Sequence, residues 1–213
     1  MILHKGASLI AIINDTDSSN IRSIYNAVYT LGYDAEVIKY EALSDKYSHL
    51  IIPGVGSYQS ALIKNLSQTK EKIHNYAKSG RPILGICLGM QLFANWGEEG
   101  GGANGLGLIS GEVLKLPQDN GLLLPHVGWN TVKVVKSHPI FKGVKDNVDF
   151  YFVHSYHFIC ENNANIYGYT DYGEDFISVV GQDNIIGLQF HPEKSQSNGL
   201  KLIDNFCNWD GEC

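Results

Sequence analysis

An α/β fold with a mixed, mostly parallel central sheet, flanking helices and a nucleophile elbow is what this sequence predicts. Three observations predict it. The first half alternates short apolar runs with helical patterns, which argues for a parallel sheet with helices on both faces. The second half is a series of β-branched and aromatic runs separated by turn residues, which favours antiparallel pairing. Between them, an apolar strand pattern runs straight into a cysteine flanked by glycines, with a helical pattern directly behind it. The 213 residues are 44% hydrophobic and 18% charged, enough for a sizeable core and too apolar for wholesale disorder. No internal repeat, low-complexity tract or linker interrupts the chain, so one domain over residues 1–213 is expected.

In order, Ser8–Asn14 reads as a first strand, and Ser18–Leu31 as a helix with Ile21, Ile24, Val28 and Leu31 along one face. Ser18, Ser19 or Asn20 is placed to cap it. Asp34–Tyr40 and Leu50–Ile52 follow as strands, the latter stopped by Pro53-Gly54. Gln59–Lys78 is helical, Arg81–Ile86 is a fourth strand, and Leu88–Trp96 starts another helix. After Gly97, strands are expected at Gly111–Leu116, Thr131–Lys136, Phe150–Cys160, Asn165–Tyr172 and Ile177–Phe190, the last split into a hairpin by Gln182-Asp183-Asn184. A final helix runs from about Asn198 to Trp209.

The net charge is −6, opposite in sign to that of most dedicated nucleic-acid binders, so no nucleic-acid partner is expected. No apolar run approaches the ~18 residues of a membrane helix, so no membrane role is expected either. The apolar stretch Leu9–Ile13 is too short for a secretory signal and has no small-residue cleavage site behind it. The four cysteines, at 87, 160, 207 and 213, form no CxxC pair. A disulfide framework is therefore not expected, and a reducing cytoplasm is the default compartment.

Arg81-Pro-Ile-Leu-Gly-Ile-Cys87-Leu-Gly-Met-Gln91 is the most informative stretch. Gly85 and Gly89 flank Cys87 in the pattern G-x-nucleophile-x-G. A sharp strand-to-helix turn crowds the chain, and small neighbours let the nucleophile sit strained and exposed. The helix N-terminus beneath the sulfur favours a thiolate, and the Leu88 N–H is placed to donate to an oxyanion. On position alone, a buried structural cysteine is an equally good reading; the two glycines lift the catalytic one. Cys160, Cys207 and Cys213 have no such setting and are expected to be passive.

A thiol at an elbow needs a base. The strand ending at Phe190 leads into His191-Pro192-Glu193. In an extended segment residues i and i+2 share a side, and Pro192 disfavours helix at His191. Glu193 is then placed to orient the imidazole, as the third member of a triad orients its base. Taken alone, His-x-Glu fits a surface turn better; paired with the elbow it becomes informative.

Together, GICLGMQ (85–91) and FHPEKS (190–195) resemble the class I, triad-type glutamine amidotransferases. Three more motifs, PGVGSY (53–58), PHVGWN (125–130) and YFVHSY (151–156), resemble the glutaminase-subunit family of imidazole glycerol phosphate synthase. The resemblance runs from about Leu9 to the last helix and implies the class I glutamine amidotransferase fold. It also implies that Cys87 attacks the side-chain amide of L-glutamine, that His191 moves the protons and that Glu193 holds His191. Backbone N–H groups of Val55 and Leu88 would form the oxyanion hole, and the glycines flanking Val55 would make a peptide flip there cheap. Gly56, Gln91, Ser155 and Tyr156 would grip the amino-acid end of glutamine. Asn20, His126, Trp129 and Lys194 would lie towards the partner. That partner, by resemblance, is a separate cyclase of (β/α)-barrel type. It forms a heterodimer with the glutaminase and uses its ammonia to make imidazole glycerol phosphate and aminoimidazole carboxamide ribotide in histidine biosynthesis. No cofactor and no metal is implied.

One departure bears on the partner. The family has a glycine-containing turn ending in Asn after the first strand, whereas this chain has Asn14-Asp-Thr-Asp-Ser-Ser-Asn20 with no glycine. The alternative it motivates keeps the glutaminase chemistry but serves another synthase, such as a sugar amidotransferase of surface-polysaccharide biosynthesis. A cysteine peptidase shares the elbow but lacks the companion motifs, and a non-catalytic module would not need all three triad members.

Four signals are read as structural. Gly100-x-Gly102-x-x-Gly105 has no strand before it and a strand after it, the wrong context for a phosphate loop. His154 and His157 would face opposite sides of one strand, unsuited to a shared ion. The aromatic run Phe150–Phe158 reads as core or wall, and Glu98-Glu99 as a solvated pair.

Overall fold

The computed structural model describes residues 8–14, 20–59, 66–118 and 122–213. The parallel part of the sheet comes first in sequence: β1 (Leu9–Ile13), β2 (Asp34–Ile38), β3 (His49–Ile52) and β4 (Ile83–Ile86). Their spatial order is β2-β1-β3-β4, extended by β13 (Ile185–Leu188), which runs parallel to β4 with Leu188 opposite Ile86. β1, β3, β4 and β13 are buried on both faces, hence their apolar runs, whereas β2 at the edge stays part-exposed. Ile10 and Ile12 of β1 point into one core, Ala11 and Ile13 into the other, as a period of two dictates. The first core is closed by α1 (Ile21–Thr30) and by α4 (Gln196–Cys207), through Ile24, Val28, Leu202 and Phe206. The second is closed by α2 (Leu66–Lys78), through Ile73 and Tyr76. Helices on both faces are thus as expected.

α3 covers only Leu88–Gln91. The longer helix expected there is wrong. After Gln91 the chain tightens into i→i−3 bonds, Phe93 N–H to Met90 and Ala94 N–H to Gln91. Asn95 then exchanges bonds with Gly111, its N–H donating to the Gly111 carbonyl and its Oδ1 accepting from the Gly111 N–H. Tertiary pairing overrides helical pattern here, and Trp96–Gly97 becomes β5.

The antiparallel part is built from β6 (Ala103–Asn104), β7 (Gly111–Lys115), β8 (His126–Val134), β9 (Val148–His154), β10 (Tyr156–Cys160), β11 (Ile166–Tyr172) and β12 (Glu174–Gln182). β12 and β13 form the expected hairpin, with Asp183 at φ 51° in its turn. From β13 the sheet continues β12-β10-β7-β5-β6, while β11 bridges β12 to β8 and β8 pairs with β9. The single strand expected over Phe150–Cys160 is two, broken at Ser155, because its halves serve different neighbours: β9 pairs with β8, and β10 with β7 and β12. No described helix is long and apolar enough to cross a membrane.

Candidate active site

Cys87 follows β4 directly and caps α3 with φ 54° and ψ −112°, a positive φ that a non-glycine residue rarely holds. The turn is sustained by close packing. A Cβ on Gly89 would lie 1.7 Å from the Ile52 carbonyl oxygen, and one on Gly85 2.5 Å from the Phe93 ring. A Cβ on Gly54 would lie 2.6 Å from the Leu88 Cβ. The glycines therefore let the end of β3 lie against the elbow, bringing the Pro53–Gly56 loop beside Leu88. The strain falls on Cys87 itself. At 6% exposure the thiol is more enclosed than the sequence suggested, and the helix beneath it is a single turn.

His191 is fully buried beyond the end of β13. Its N–H donates to the Tyr151 carbonyl at 2.8 Å, and its carbonyl accepts from Ser195 Oγ at 2.6 Å. Pro192–Lys194 is a 3₁₀ turn and not the extended segment expected. The turn nevertheless returns Glu193 to the ring, with Nδ1 2.8 Å from Oε1. Both side chains are shielded from solvent. The other ring nitrogen, Nε2, is buried without a hydrogen bond. Burial alone would lower the affinity of this imidazole for protons, but the Cys87 sulfur and the Glu193 carboxylate outweigh it and raise the pKa well above the ordinary histidine value.

The structure adds two residues that the sequence reading did not assign to the triad. Asn20 heads α1, yet its side chain caps nothing. Its Nδ2 donates to Glu193 Oε1 and lies 3.1 Å from His191 Nδ1. Since Nδ1–H donates to the same carboxylate oxygen, the approach of the two nitrogens is proximity, and Glu193 is the acceptor for both. At 3% exposure Asn20 presents no side chain to a partner, which corrects the interface expectation for it. His126 is corrected likewise, being 3% exposed and enclosed by Phe152 and Tyr172. The second addition is Gln189, fully buried, whose Nε2 approaches Cys87 Sγ at 3.7 Å. A lone polar residue inside the apolar run 185–190, two positions before His191, was the signal for it. Trp129 and Lys194 are exposed and both lie near Tyr151, at 6.2 Å ring to ring and 5.7 Å Nζ to ring.

Cys87 opens onto a cavity of about 290 Å³ lined by Val55, Gly56, Leu88, Gln91, Glu99, Pro125 and the segment Val153–Tyr156. It contains every residue expected to hold glutamine or its oxyanion. Gly56 has φ 113°, a conformation that requires glycine. Gln91 Nε2 donates to the Tyr156 carbonyl at 2.9 Å and to Gln189 Oε1 at 3.0 Å. Glu99 corrects the reading of a solvated pair, because it accepts from the Tyr58 N–H at 2.6 Å and reaches the cavity wall. Glu98 likewise accepts from the Lys115 N–H. Among the described residues no cluster of histidine, cysteine and acidic side chains is arranged to hold a metal. The arrangement offers a nucleophile, a base with an oriented ring, and an adjoining cavity with polar groups in its wall, the parts needed for acyl transfer from an amide.

The profile of the family Glutamine amidotransferase class-I matches residues 12–208. The chain is 43% identical over 206 residues to "Imidazole glycerol phosphate synthase subunit HisH" of Desulfitobacterium hafniense (strain DSM 10664 / DCB-2), covering 96% of each chain. It is 46% identical over 202 residues to the subunit of the same name from Methanocaldococcus jannaschii, covering 93% of this chain and 98% of that one. Among solved structures, "PurLQS from Thermotoga maritima" superposes with a TM-score of 0.76 at 19% identity, covering 95% of this chain and 99% of that chain, a likeness of fold.

Proposed function

We propose, from the premise that this chain belongs to the class I glutamine amidotransferases, that its 213 residues form the glutaminase subunit of an imidazole glycerol phosphate synthase. It hydrolyses L-glutamine to L-glutamate and ammonia, and passes the ammonia to a separate cyclase subunit in histidine biosynthesis. The observation that carries the reading is the meeting of two parts of the chain distant in sequence: Cys87 at a strained elbow, and His191 beside it with Glu193 at 2.8 Å.

In this mechanism His191 Nε2 takes the proton of the Cys87 thiol as the sulfur attacks the side-chain carbonyl carbon of glutamine. The oxygen becomes an anion held by the N–H groups of Val55 and Leu88. The C–N bond then breaks, His191 Nε2 gives its proton to the departing nitrogen, and a thioester remains on Cys87. His191 next takes a proton from water, which attacks the thioester and releases glutamate, and returns that proton to the departing sulfur, restoring the thiol. Gly56, Gln91, Ser155 and Tyr156 hold the amino-acid end of the substrate. The groups required are side chains and peptide N–H, so the reaction calls for no cofactor. All four cysteines are free, in keeping with a cytoplasmic protein. The exposed pair Trp129 and Lys194 is assigned to the cyclase interface.

Of the loop Asn14–Asn20 that motivated a different ammonia acceptor, residues 15–19 lie outside the described residues. The test is to co-purify the native complex and supply glutamine with the phosphoribosyl-carboxamide intermediate of histidine biosynthesis. Formation of imidazole glycerol phosphate is expected; a complex that leaves that intermediate unconverted refutes the assignment to this synthase. Within the subunit, a glutamine-like alkylating agent is expected to label Cys87. Labelling of Cys87→Ala at an undiminished rate refutes the nucleophile.

A further inference from the structure

A second pair of buried histidines lies beside the glutamine pocket, His126 at the start of β8 and His154 at the end of β9. Their partners determine where the protons sit. The Tyr156 carbonyl can only accept, so its 2.9 Å contact with His154 Nδ1 requires a proton on that nitrogen. Both rings are stripped of solvent, and burial pushes His154 down to about 3 and His126 down to about 4, so both are neutral. A neutral His154 protonated on Nδ1 presents a bare Nε2. His126 Nδ1, 3.0 Å away, is then the donor to it. That leaves His126 Nε2 bare, facing the amide nitrogen of Asn130 at 3.3 Å. Asn130 Nδ2 also donates to the Asp171 carbonyl at 2.8 Å, which fixes its orientation. The donors therefore run one way, from Asn130 to His126, to His154, to the Tyr156 carbonyl.

That carbonyl is also where Gln91 is tied, and Gln91 continues through Gln189 to the sulfur of Cys87. We propose that His154, held in one tautomer by His126, is a positioning residue for the substrate pocket: it fixes the Tyr156 carbonyl and, through it, the Gln91 amide and the wall at Ser155–Tyr156. The role rests on the glutaminase reading of the cavity. Aromatic packing alone does not account for the pair. Phe152 and Tyr172 enclose His126 at 5.0 and 4.0 Å, where a phenylalanine ring would pack as well, but only an imidazole joins the chain of donors.

The test uses that difference. Glutamine kinetics are measured on the complex with its ammonia acceptor. His126→Phe keeps the ring and removes the Nδ1–H donor; His154→Phe removes the donor to Tyr156; His154→Asn keeps a donor near the Nδ1 position. Loss of one buried hydrogen bond corresponds to ~10-fold in KM. The two phenylalanine variants are expected to raise the KM for glutamine by about that factor with kcat within ~2-fold, and His154→Asn to restore most of the loss. Nitrogen-15 spectra of the unmodified chain provide a readout independent of variant folding: both histidines are expected to be neutral and protonated on Nδ1. A proton on Nε2 of either ring, or His154→Asn no better than His154→Phe, overturns the proposal. A hydrolysing complex whose variants all share the unmodified KM overturns this role alone, whereas an unmodified complex that releases no glutamate overturns the glutaminase reading as well.

Discussion

Glu193 offers His191 an acceptor, but Asn20 deprives that carboxylate of a second orientation, because its amide donates to the same oxygen. Asn20→Ala is therefore expected to lower kcat for glutamine by ~10-fold to ~100-fold, the usual cost of losing a group that orients a catalytic ligand, with KM unchanged. Steady-state kinetics of the complex check this, and a change confined to KM would contradict it. The protonation of His191 gives a second prediction. Its raised pKa is attributed chiefly to the Cys87 sulfur and then to Glu193, against the opposing effect of burial. A raised histidine contributes stability that is fully present below its unfolded value of about 6.5 and is lost as pH climbs through the folded value. Imidazole spectra of the native protein should thus show the imidazolium persisting above the ordinary histidine range. Cys87→Ala should move that titration downward, and an unmoved titration would mean that sulfur and ring do not interact.

The elbow is the element whose chemistry depends most on packing. The end of β3 lies so close to α3 that a methyl at Gly89 would meet the Ile52 carbonyl at 1.7 Å, and backbone cannot yield cheaply. Gly89→Ala is expected to cost ~3 kcal/mol or more, lowering Tm by roughly 6–12 °C. Gly101→Ala is the control: its φ is 102° but nothing lies within 4 Å, so only backbone strain of ~1–2 kcal/mol applies. Calorimetry of the two variants separates collision from conformation. Elements of this kind were legible in the sequence because glycine spacing, a strand pattern and a cysteine all report on local geometry. The same holds for β1, β3 and β4, whose apolar runs follow from burial on both faces. What was not legible depended on partners distant in the chain. Asn20 looked like a helix cap because capping is local, whereas its bond to Glu193 spans 173 positions. Phe150–Cys160 looked like one strand because the change of neighbours at Ser155 leaves no mark in the alternation of side chains. His126 and His154 reveal their relation only once β8 and β9 are paired in register.

At the scale of the whole molecule, the exposed face and the triad share a short segment of chain. Lys194 is exposed and adjoins Glu193, and Tyr151, whose ring neighbours both Lys194 and Trp129, supplies the carbonyl that holds the His191 N–H. A partner that grips Trp129 and Lys194 therefore presses on the turn that orients the base. The pocket side carries a second adjustable part, the Pro53–Gly56 loop, where Gly56 at φ 113° leaves the neighbouring peptide free of side-chain obstruction. If the partner stabilises the competent arrangement of both, its binding and glutamine turnover are linked through one equilibrium. The isolated subunit should then hydrolyse glutamine at least ~5-fold more slowly than the complex holding its acceptor substrate, the lower end of ordinary coupling between sites. Trp129→Ala, which removes a 48% exposed indole outside the cavity, should weaken the complex by ~10-fold or more in Kd, as loss of an aromatic anchor does. At saturating partner the variant should recover the turnover of the unmodified complex. Titrating the partner against glutamate release measures both quantities at once. A lone subunit as fast as the substrate-bound complex would separate the interface from the triad, and would leave the shared segment at Tyr151 and Lys194 with a structural role only.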